Sequence, residues 1–298
     1  MIAFNGQYLD KTSHGNMRIT AACLGGQWVI APWHIDAATQ QAIIAAFGAE
    51  EGIAVISRTN DYLNALALTD PQRAQQLAGF INEDPLLVTS LVETSKTRWL
   101  VGDGVAWIDL GYVPVGDDVE TYTKFIVTEQ GQVAKGIFGK GSYNSPTNSI
   151  YISTWMNSSY KNLVMHGVTT AQGAWFGDTA GNKVDYTWEL TQILKDGVYD
   201  AISLADGTPK ADGWSHAKEA APLVDDGVHC FLFKTSTYDA FKGNISEHYE
   251  KEQGLLKHHY YPCTYQGENG MLDIISGTFH PNANTEGAFT IAITDKAT

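Results

Sequence analysis

Two periods run through the hydrophobic positions of this chain. Between residues 36 and 98 they recur at helical spacing, and from Trp99 onward they alternate with polar positions in short runs. In "HIDAATQQAIIAAFG", Asp36 is placed to cap a helix after apolar Ile35, Ile43, Ile44 and Phe47 share one helical face, and Gly48 closes the run. "TDPQRAQQLAGFI" and "EDPLLVTSLVETSK" each set Asp before Pro, at Asp70-Pro71 and Asp84-Pro85, which predicts two further short helices with proline in the first helical position. "LGGQWVIAPW" reads as extended, limited by Pro32. Helices this short are not stable alone, so they must pack on one another, on the β domain or on another subunit.

The alternating part is clearest in "VDYTWEL". Val184, Tyr186, Trp188 and Leu190 fall on one face, and Asp185, Thr187 and Glu189 on the other, as in a half-buried strand. Comparable runs are "VAWIDLGY", "TYTKFIVTE", "NSIYISTWM", "GVYDAISL", "VHCFLFK", "GLLKHHYY" and "GAFTIAI", separated by Gly, Asn, Asp and Ser clusters. The turns "KDG" at 195–197, "ADG" at 205–207 and "EQG" at 252–254 supply the positive-φ positions of hairpins. With no amphipathic helix between the strands, a βαβ layout is excluded. The expected fold is mainly β: an antiparallel jelly-roll β-sandwich over 99–298, preceded by a small, mostly helical module over 1–98.

Composition narrows the partners. The 298 residues are 44% hydrophobic, enough for a folded core, and 33 acidic against 19 basic residues give a charge of −14 that repels phosphate backbones and anionic lipid. Nucleic acid is therefore not expected as a partner. No stretch reaches the roughly 18 apolar residues of a membrane span. The opening "MIAFNGQYLDKTSHGNMR" lacks the pattern of a secretory signal, so synthesis and retention in a cytosol are expected. Cys23, Cys230 and Cys263 are few, far apart and odd in number, which argues for buried thiols over a disulfide framework or a zinc site.

The stretch "EQGLLKHHYYPCTYQGENGMLDIISGTFHPNANTEGAF" resembles the closing end of concanavalin A-like (LamG-like) jelly-roll domains. Tyr261-Pro262-Cys263, Gly270-Met271-Leu272-Asp273, Ser276-Gly277-Thr278-Phe279 and the run from Asn282-Ala283 to Gly287-Ala288-Phe289 match that family's closing phrase. "VAWIDLGYVPVGDDVETYTKF" resembles its opening, so the resemblance spans roughly 99–295. The closing motif looks structural. Gly270 and Gly277 would permit tight reversals, while Leu272, Ile274 and Phe279 would bury beside the hairpin aromatics.

The chemistry-bearing residues are read against that fold. Glucanases of this fold carry a strand-borne E-x-D-x-x-E, which is absent here. The nearest run, "EHYEKE", places Glu250 and Glu252 on a face that Glu247 does not share, and is expected to be a solvated edge of the last hairpin. His229, His248, His258 and His259 lie near that hairpin, but adjacent His258 and His259 point to opposite faces and cannot both hold one ion. The acidic turns at 116–118 and 224–226 leave Ca²⁺ open as a bound ion, with no other cofactor implied. No nucleophile elbow or P-loop occurs, so no catalytic residue is assigned. "QGAWFGDTAGN" at 172–182 offers Trp175, Phe176, Asp178 and Asn182 as a sugar-binding set, against a core or interface role for the tryptophan.

Domains of the resembled type occur in virion proteins of tailed phages that infect gut bacteria and in surface proteins of the bacteria. The resemblance implies a non-enzymatic structural component of a bacteriophage virion: a capsid decoration, head fibre or tail-associated protein. It would be made in the host cytoplasm, joined to other virion proteins and to its own copies through residues 1–98, and present a lectin-like domain to host surface glycans. A lectin-like carbohydrate-binding protein of a gut bacterium is the alternative, with a diverged glycoside hydrolase third.

Overall fold

The computed structural model describes residues 35–128, 133–142, 145–157, 160–178, 185–210 and 218–296, and the backbone of four short strands before residue 32. The chain divides into two compact units, residues 1–97 with 295–298, and residues 98–294. Among the described residues no helix is long and apolar enough to cross a membrane.

In the first unit, β1 (Ile2–Phe4) and β2 (Gln7–Leu9) pair antiparallel, as do β3 (Thr20–Leu24) and β4 (Gln27–Ala31). Four helices follow: α1 (Ala37–Phe47), α2 (Ala49–Ala67), α3 (Pro71–Glu83) and, after a 3₁₀ turn at Pro85–Leu87, the single turn α4 (Val88–Leu91). The caps expected from the sequence form. Asp36 accepts a hydrogen bond from the Thr39 amide at 2.8 Å and Asp70 from the Arg73 amide at 3.0 Å.

The longest helix, α2, is one that the sequence signals do not announce. Its run carries Gly52, Ile53, Val55, Ile56 and Thr59, all poor helix formers, and packing overrides propensity. Its buried stripe of Gly52, Val55, Thr59, Leu63 and Ala67 has helical spacing, and at Gly52 an added Cβ would lie 2.6 Å from the Cα of Ile44. The absent side chain thus lets α1 and α2 close on each other. The region after Asp84, by contrast, holds only the two short turns instead of a full helix.

The second unit is built from β5 (Lys96–Asp103), β6 (Ile108–Asp109), β7 (Asp118–Val127), β8 (Lys135–Ser142), β9 (Ser145–Asn157), β10 (Tyr160–Val168), β11 (Ala171–Asp178), β12 (Thr187–Lys195) and β13 (Val198–Ala205). Then come β14 (Thr208–Lys210), β15 (Lys218–Glu219), β16 (Phe231–Leu232), β17 (Lys242–Glu252), β18 (Leu255–Tyr265), β19 (Glu268–Asp273), β20 (Thr278–His280) and β21 (Phe289–Asp295). Two sheets form. The smaller runs β11-β10-β9-β8-β16-β6, and the larger β14-β13-β12-β7-β17-β18-β19-β20, with β15 on β13, β5 on β17 and β21 on β5. The architecture is the expected mainly β, antiparallel sandwich.

Between the sheets lie Phe125, Trp188, Leu190 and Ile245 from the larger one and Phe138, Ile152 and Val164 from the smaller, all fully buried. The expected alternation holds where it was clearest: Trp188 and Leu190 are buried and Tyr186 packs against the core, while Val184 lies outside the described residues. Gln192 on β12 reaches across this interior, donating to the carbonyls of Tyr151 at 3.2 Å and Gly167 at 3.4 Å in the smaller sheet. "VAWIDLGY" and "VHCFLFK" give only the two-residue strands β6 and β16.

The three predicted hairpin turns have the expected backbone, with Asp196, Asp206 and Gln253 at φ near +50 followed by Gly197, Gly207 and Gly254 at φ of +76, +71 and +72. The closing motif is a knot of hydrogen bonds. Asn282 Oδ1 accepts from the Trp107 amide at 3.2 Å, the Asn282 amide group donates to the carbonyls of Asn284 and Gly287, and Asp103 accepts from the amides of Val105, Ala106 and Ala288, each at 2.8 Å. Gly277 sits at a reversal with φ of +71, as expected. Gly270 does not. It lies inside β19, where a Cβ would stand 2.3 Å from the carbonyl oxygen of His280.

At Gly139 the same crowding is more severe, since φ is +109 and a Cβ would fall 1.9 Å from the Ile150 carbonyl oxygen. Gly139→Ala is expected to cost about 3 kcal/mol or more in urea unfolding. Gly267→Ala, at φ of +81 with open space around it, should cost only about 1–2 kcal/mol.

Candidate functional site

The chemistry gathers on β17 and its neighbours. A β-bulge lies between Ile245 and Glu247 in the pairing with β7, so Ser246 is extra and the strand changes phase there. Ile245 faces the core before the bulge; after it His248 and Glu250 face inward, and Glu247, Tyr249 and Lys251 face outward. Each face carries a separate constellation.

On the outer face the register aligns three rows across the strands. Thr191 on β12, Tyr122 on β7, Tyr249 on β17 and His259 on β18 stand opposite one another in turn. On one side of this row lie Glu189, Lys124 and Glu247; on the other, Ile193, Glu120 and Lys251. The rings touch in sequence. Tyr122 and Tyr249 stack at 5.1 Å and 12°, Tyr249 meets His259 edge to face at 5.8 Å, and His259 meets Tyr261 at 4.5 Å.

Carboxylates hold each ring in place. The hydroxyl of Tyr122 donates to Glu189 at 3.0 Å, that of Tyr249 to Glu120 at 2.8 Å and that of Tyr261 to Glu247 at 3.1 Å, while His259 Nε2 lies 2.8 Å from Glu247. Lys124 and Lys251 complete the rows with ion pairs to Glu189 at 3.1 Å and Glu120 at 2.7 Å. Burial raises the Tyr122 and Tyr249 phenols above their ordinary range, and the neighbouring carboxylates add to it, so both remain donors at any physiological pH. Burial pushes Glu120 the other way from its partners, but the bonds from Lys251 and Tyr249 outweigh it and hold the carboxyl below the ordinary value.

The inner face is polar where a sandwich is usually dry. His248 and Glu250 are fully buried, with His248 Nδ1 2.9 Å from Thr123 Oγ1 and Nε2 3.1 Å from Glu250 Oε1. Burial, then the charges of Asp273 and Glu252, drives the Glu250 carboxyl well above its usual range, and burial brings His248 down to about 3. Burial thus favours the uncharged form of each. Glu250 Oε2 and the Tyr260 hydroxyl are buried without a hydrogen-bond partner.

Asp273 lies on the same face and is shifted in the opposite direction. Burial raises it, but bonds from His258 at 2.9 Å, the amides of His259 and Ile275 at 3.0 Å and the Ser276 hydroxyl at 2.7 Å prevail and keep it ionised. Around this layer Tyr112 donates to Glu252 at 2.6 Å, His280 bonds the Asp109 carbonyl at 3.0 Å, and the Cys230 thiol is raised by burial and then by Glu250. The solvated edge expected for "EHYEKE" is thus corrected at Glu250: the bulge turns it into the interior. His258 and His259 face opposite sides of β18, as strand alternation requires, one bonded to Asp273 and the other to Glu247.

The four expected sugar-binding residues are placed as follows. Trp175, Phe176 and Asp178 lie on β11, the edge strand of the smaller sheet, in register with Val164, Leu163 and Lys161, and Asn182 lies outside the described residues. None of the outer-row tyrosines was singled out by the sequence. Alternation within "ETYTK" and "EHYEKE" puts a tyrosine between an acid and a base on one face, and that is the only local signal.

The two acidic turns come together, since Gly116 and Leu223 exchange backbone hydrogen bonds at 2.8 Å. At the second, Asp226 Oδ1 lies 2.8 Å and the Val224 carbonyl 3.5 Å from the ammonium of Lys140, which is buried, and Asn148 bonds the other Asp226 oxygen at 2.6 Å. These oxygens already surround a cation of the chain itself. Among the described residues no group of three or more His, Cys, Asp or Glu is arranged to hold a metal ion. Cys230 and Cys263 are buried free thiols, as expected.

No family model matches the chain, and no curated protein matches it in sequence. Among solved structures it is similar to a heptameric SAP-like pentraxin from Limulus polyphemus, at 9% identity over 53% of this chain and 77% of that one, with a TM-score of 0.35. It is also similar to the full-length tailspike protein 2 from Escherichia coli O157:H7 bacteriophage CAB120, at 13% identity over 49% of this chain and 21% of that one, with a TM-score of 0.36. The enzymatically active domain of bacteriophage CBA120 tailspike protein 2 gives 14%, 46%, 22% and 0.33 for the same quantities. The chain spans about a fifth of the length of the tailspike chains. With every TM-score below 0.5, these likenesses carry none of the functional argument.

The inner pair makes stability depend on pH in a definite direction. Unfolding releases Glu250 to its ordinary value of 4.5 and His248 to 6.5. Glu250, raised in the fold, therefore contributes stability that is complete below 4.5 and is lost as pH rises; His248, lowered, contributes stability that is complete above 6.5 and is lost as pH falls toward 3. The two slopes oppose between 4.5 and 6.5, and above 6.5 the Glu250 slope stands alone. Urea unfolding from pH 7 to 9 should fall more steeply in the wild type than in Glu250→Gln, by up to about 1.4 kcal/mol per pH unit. Parallel curves would show that Glu250 is not held protonated.

Proposed function

We propose that this protein is a non-enzymatic recognition component of a bacteriophage virion, whose β-sandwich engages carbohydrate on the host surface. Residues 1–98 join it to other virion proteins and to its own copies. The observation that carries the recognition role is the outer face of the larger sheet, where three adjacent strands present Tyr122, Tyr249 and His259 in one row between carboxylates and ammonium groups. Fixed aromatic rings with polar groups beside them suit sugars, which offer apolar ring faces and many hydroxyls. Because the rings are already held by Glu189, Glu120 and Glu247, little side-chain freedom remains to be lost on binding.

A hydrolytic role is disfavoured by the carboxylates themselves. Glu250 is sealed in the interior, and Glu252 is engaged by the Tyr112 hydroxyl and the Val115 amide. At Glu250 a substrate glycosidic bond would have to reach an acid with no exposed surface. The proposal needs no cofactor. The virion location rests on the family resemblance of residues 99–295 together with the helical unit that precedes them.

Mass spectrometry of purified particles is expected to recover this chain at structural stoichiometry. The purified full chain should adhere to host cells, and mild periodate oxidation of the cell-surface sugars should reduce that adhesion at least tenfold. Absence from particles would remove the virion assignment, and adhesion indifferent to periodate would remove the carbohydrate one.

A further inference from the structure

We infer that the outer face of the larger sheet binds an uncharged glycan, laid along the row Tyr122–Tyr249–His259 and therefore across the strands. This inference rests on the recognition role proposed above and names its ligand class and its place, away from Trp175 and Phe176 on β11.

The direction follows from register. Neighbouring strands stand about 4.8 Å apart, so the three rings span on the order of 10 Å, the reach of a di- or trisaccharide. A chain lying along β7 would leave this row after Tyr122 and run onto Lys124 or Glu120. Lying across them, it keeps successive sugars over successive rings while its hydroxyls meet the flanking rows on both sides. Those rows alternate in sign from strand to strand, Glu189–Lys124–Glu247 on one side and Glu120–Lys251 on the other. Hydroxyls can donate to the carboxylates and accept from the ammonium groups.

The charge class follows from how the cations are spent. The rows hold three carboxylates against two ammonium groups, and both Lys124 and Lys251 are already paired, at 3.1 and 2.7 Å. An acidic sugar would bring its carboxylate beside Glu189, Glu120 or Glu247 without an uncommitted cation in the rows to receive it. The formal charge of −14 on the chain opposes its approach as well. A neutral polyol meets neither obstacle.

The test uses the full chain on immobilised polysaccharides, with neutral mannan, galactan and β-glucan set against polygalacturonate and polysialic acid. Retention on at least one neutral polymer, an affinity loss of tenfold or more in Tyr249→Ala and in Tyr122→Phe/Glu247→Gln, and unchanged binding in Trp175→Ala/Phe176→Ala are the expected results. The milder double variant keeps both ring positions filled, and thermal melts matching the wild type would show that each variant folds. Preference for the acidic polymers, or neutral binding untouched by the tyrosine variants, would overturn the inference while leaving the adhesive role standing. Failure to retain any glycan would overturn both.

Discussion

The pairing of β17 with β7, with its single extra residue at Ser246, governs both faces of the candidate site. β17 is the hub of the larger sheet: β7 lies along one edge, while β5 and β18 share the other. Strict alternation from Ile245 would send Glu247, Tyr249 and Lys251 into the core and leave His248 and Glu250 in solvent. One bulged residue reverses that outcome. The chain accepts two buried titratable groups on one side and in return arranges an aromatic row on the other.

The interior layer shows how such an arrangement is tolerated. Burying an ionised carboxylate costs far more than burying a neutral acid, so burial raises the Glu250 carboxyl and lowers the His248 imidazole, favouring the uncharged form of each. Asp273, only a strand or two away, is ionised because its oxygens accept from an imidazole, a hydroxyl and two backbone amides. Two carboxyl groups in one layer are thus shifted in opposite directions, set by the donors each can find. This separation resembles the division that acid–base enzymes exploit, but here it is enclosed by Phe138 and Tyr260, which pack on His248.

Local rules made much of the fold legible. Alternation at Trp188 and Leu190, the Asp-Gly turns, and the Asp caps of α1 and α3 all act within a few residues, and each forms as the sequence implies. What escaped was governed by distance along the chain. α2 is held by packing against α1 at Gly52 and Ile44, which overrules its β-branched residues. Tyr122 and Tyr249 are 127 positions apart, and nothing near either one reveals that they will stack. The fate of Glu250 turned on a bulge that has no glycine or proline to mark it. Trp175 and Phe176 are marked in the sequence by their size and flanking glycines, a compositional cue.

The ammonium of Lys140 gives the sandwich one more property. It is buried, and it draws together Asp226 and the Val224 carbonyl from a loop more than eighty residues further along. A loop pinned by a soluble ion is at the mercy of whatever competes for that ion outside. Here the positive charge is tethered covalently to β8, so this contact is inherited with the polypeptide rather than supplied by the medium.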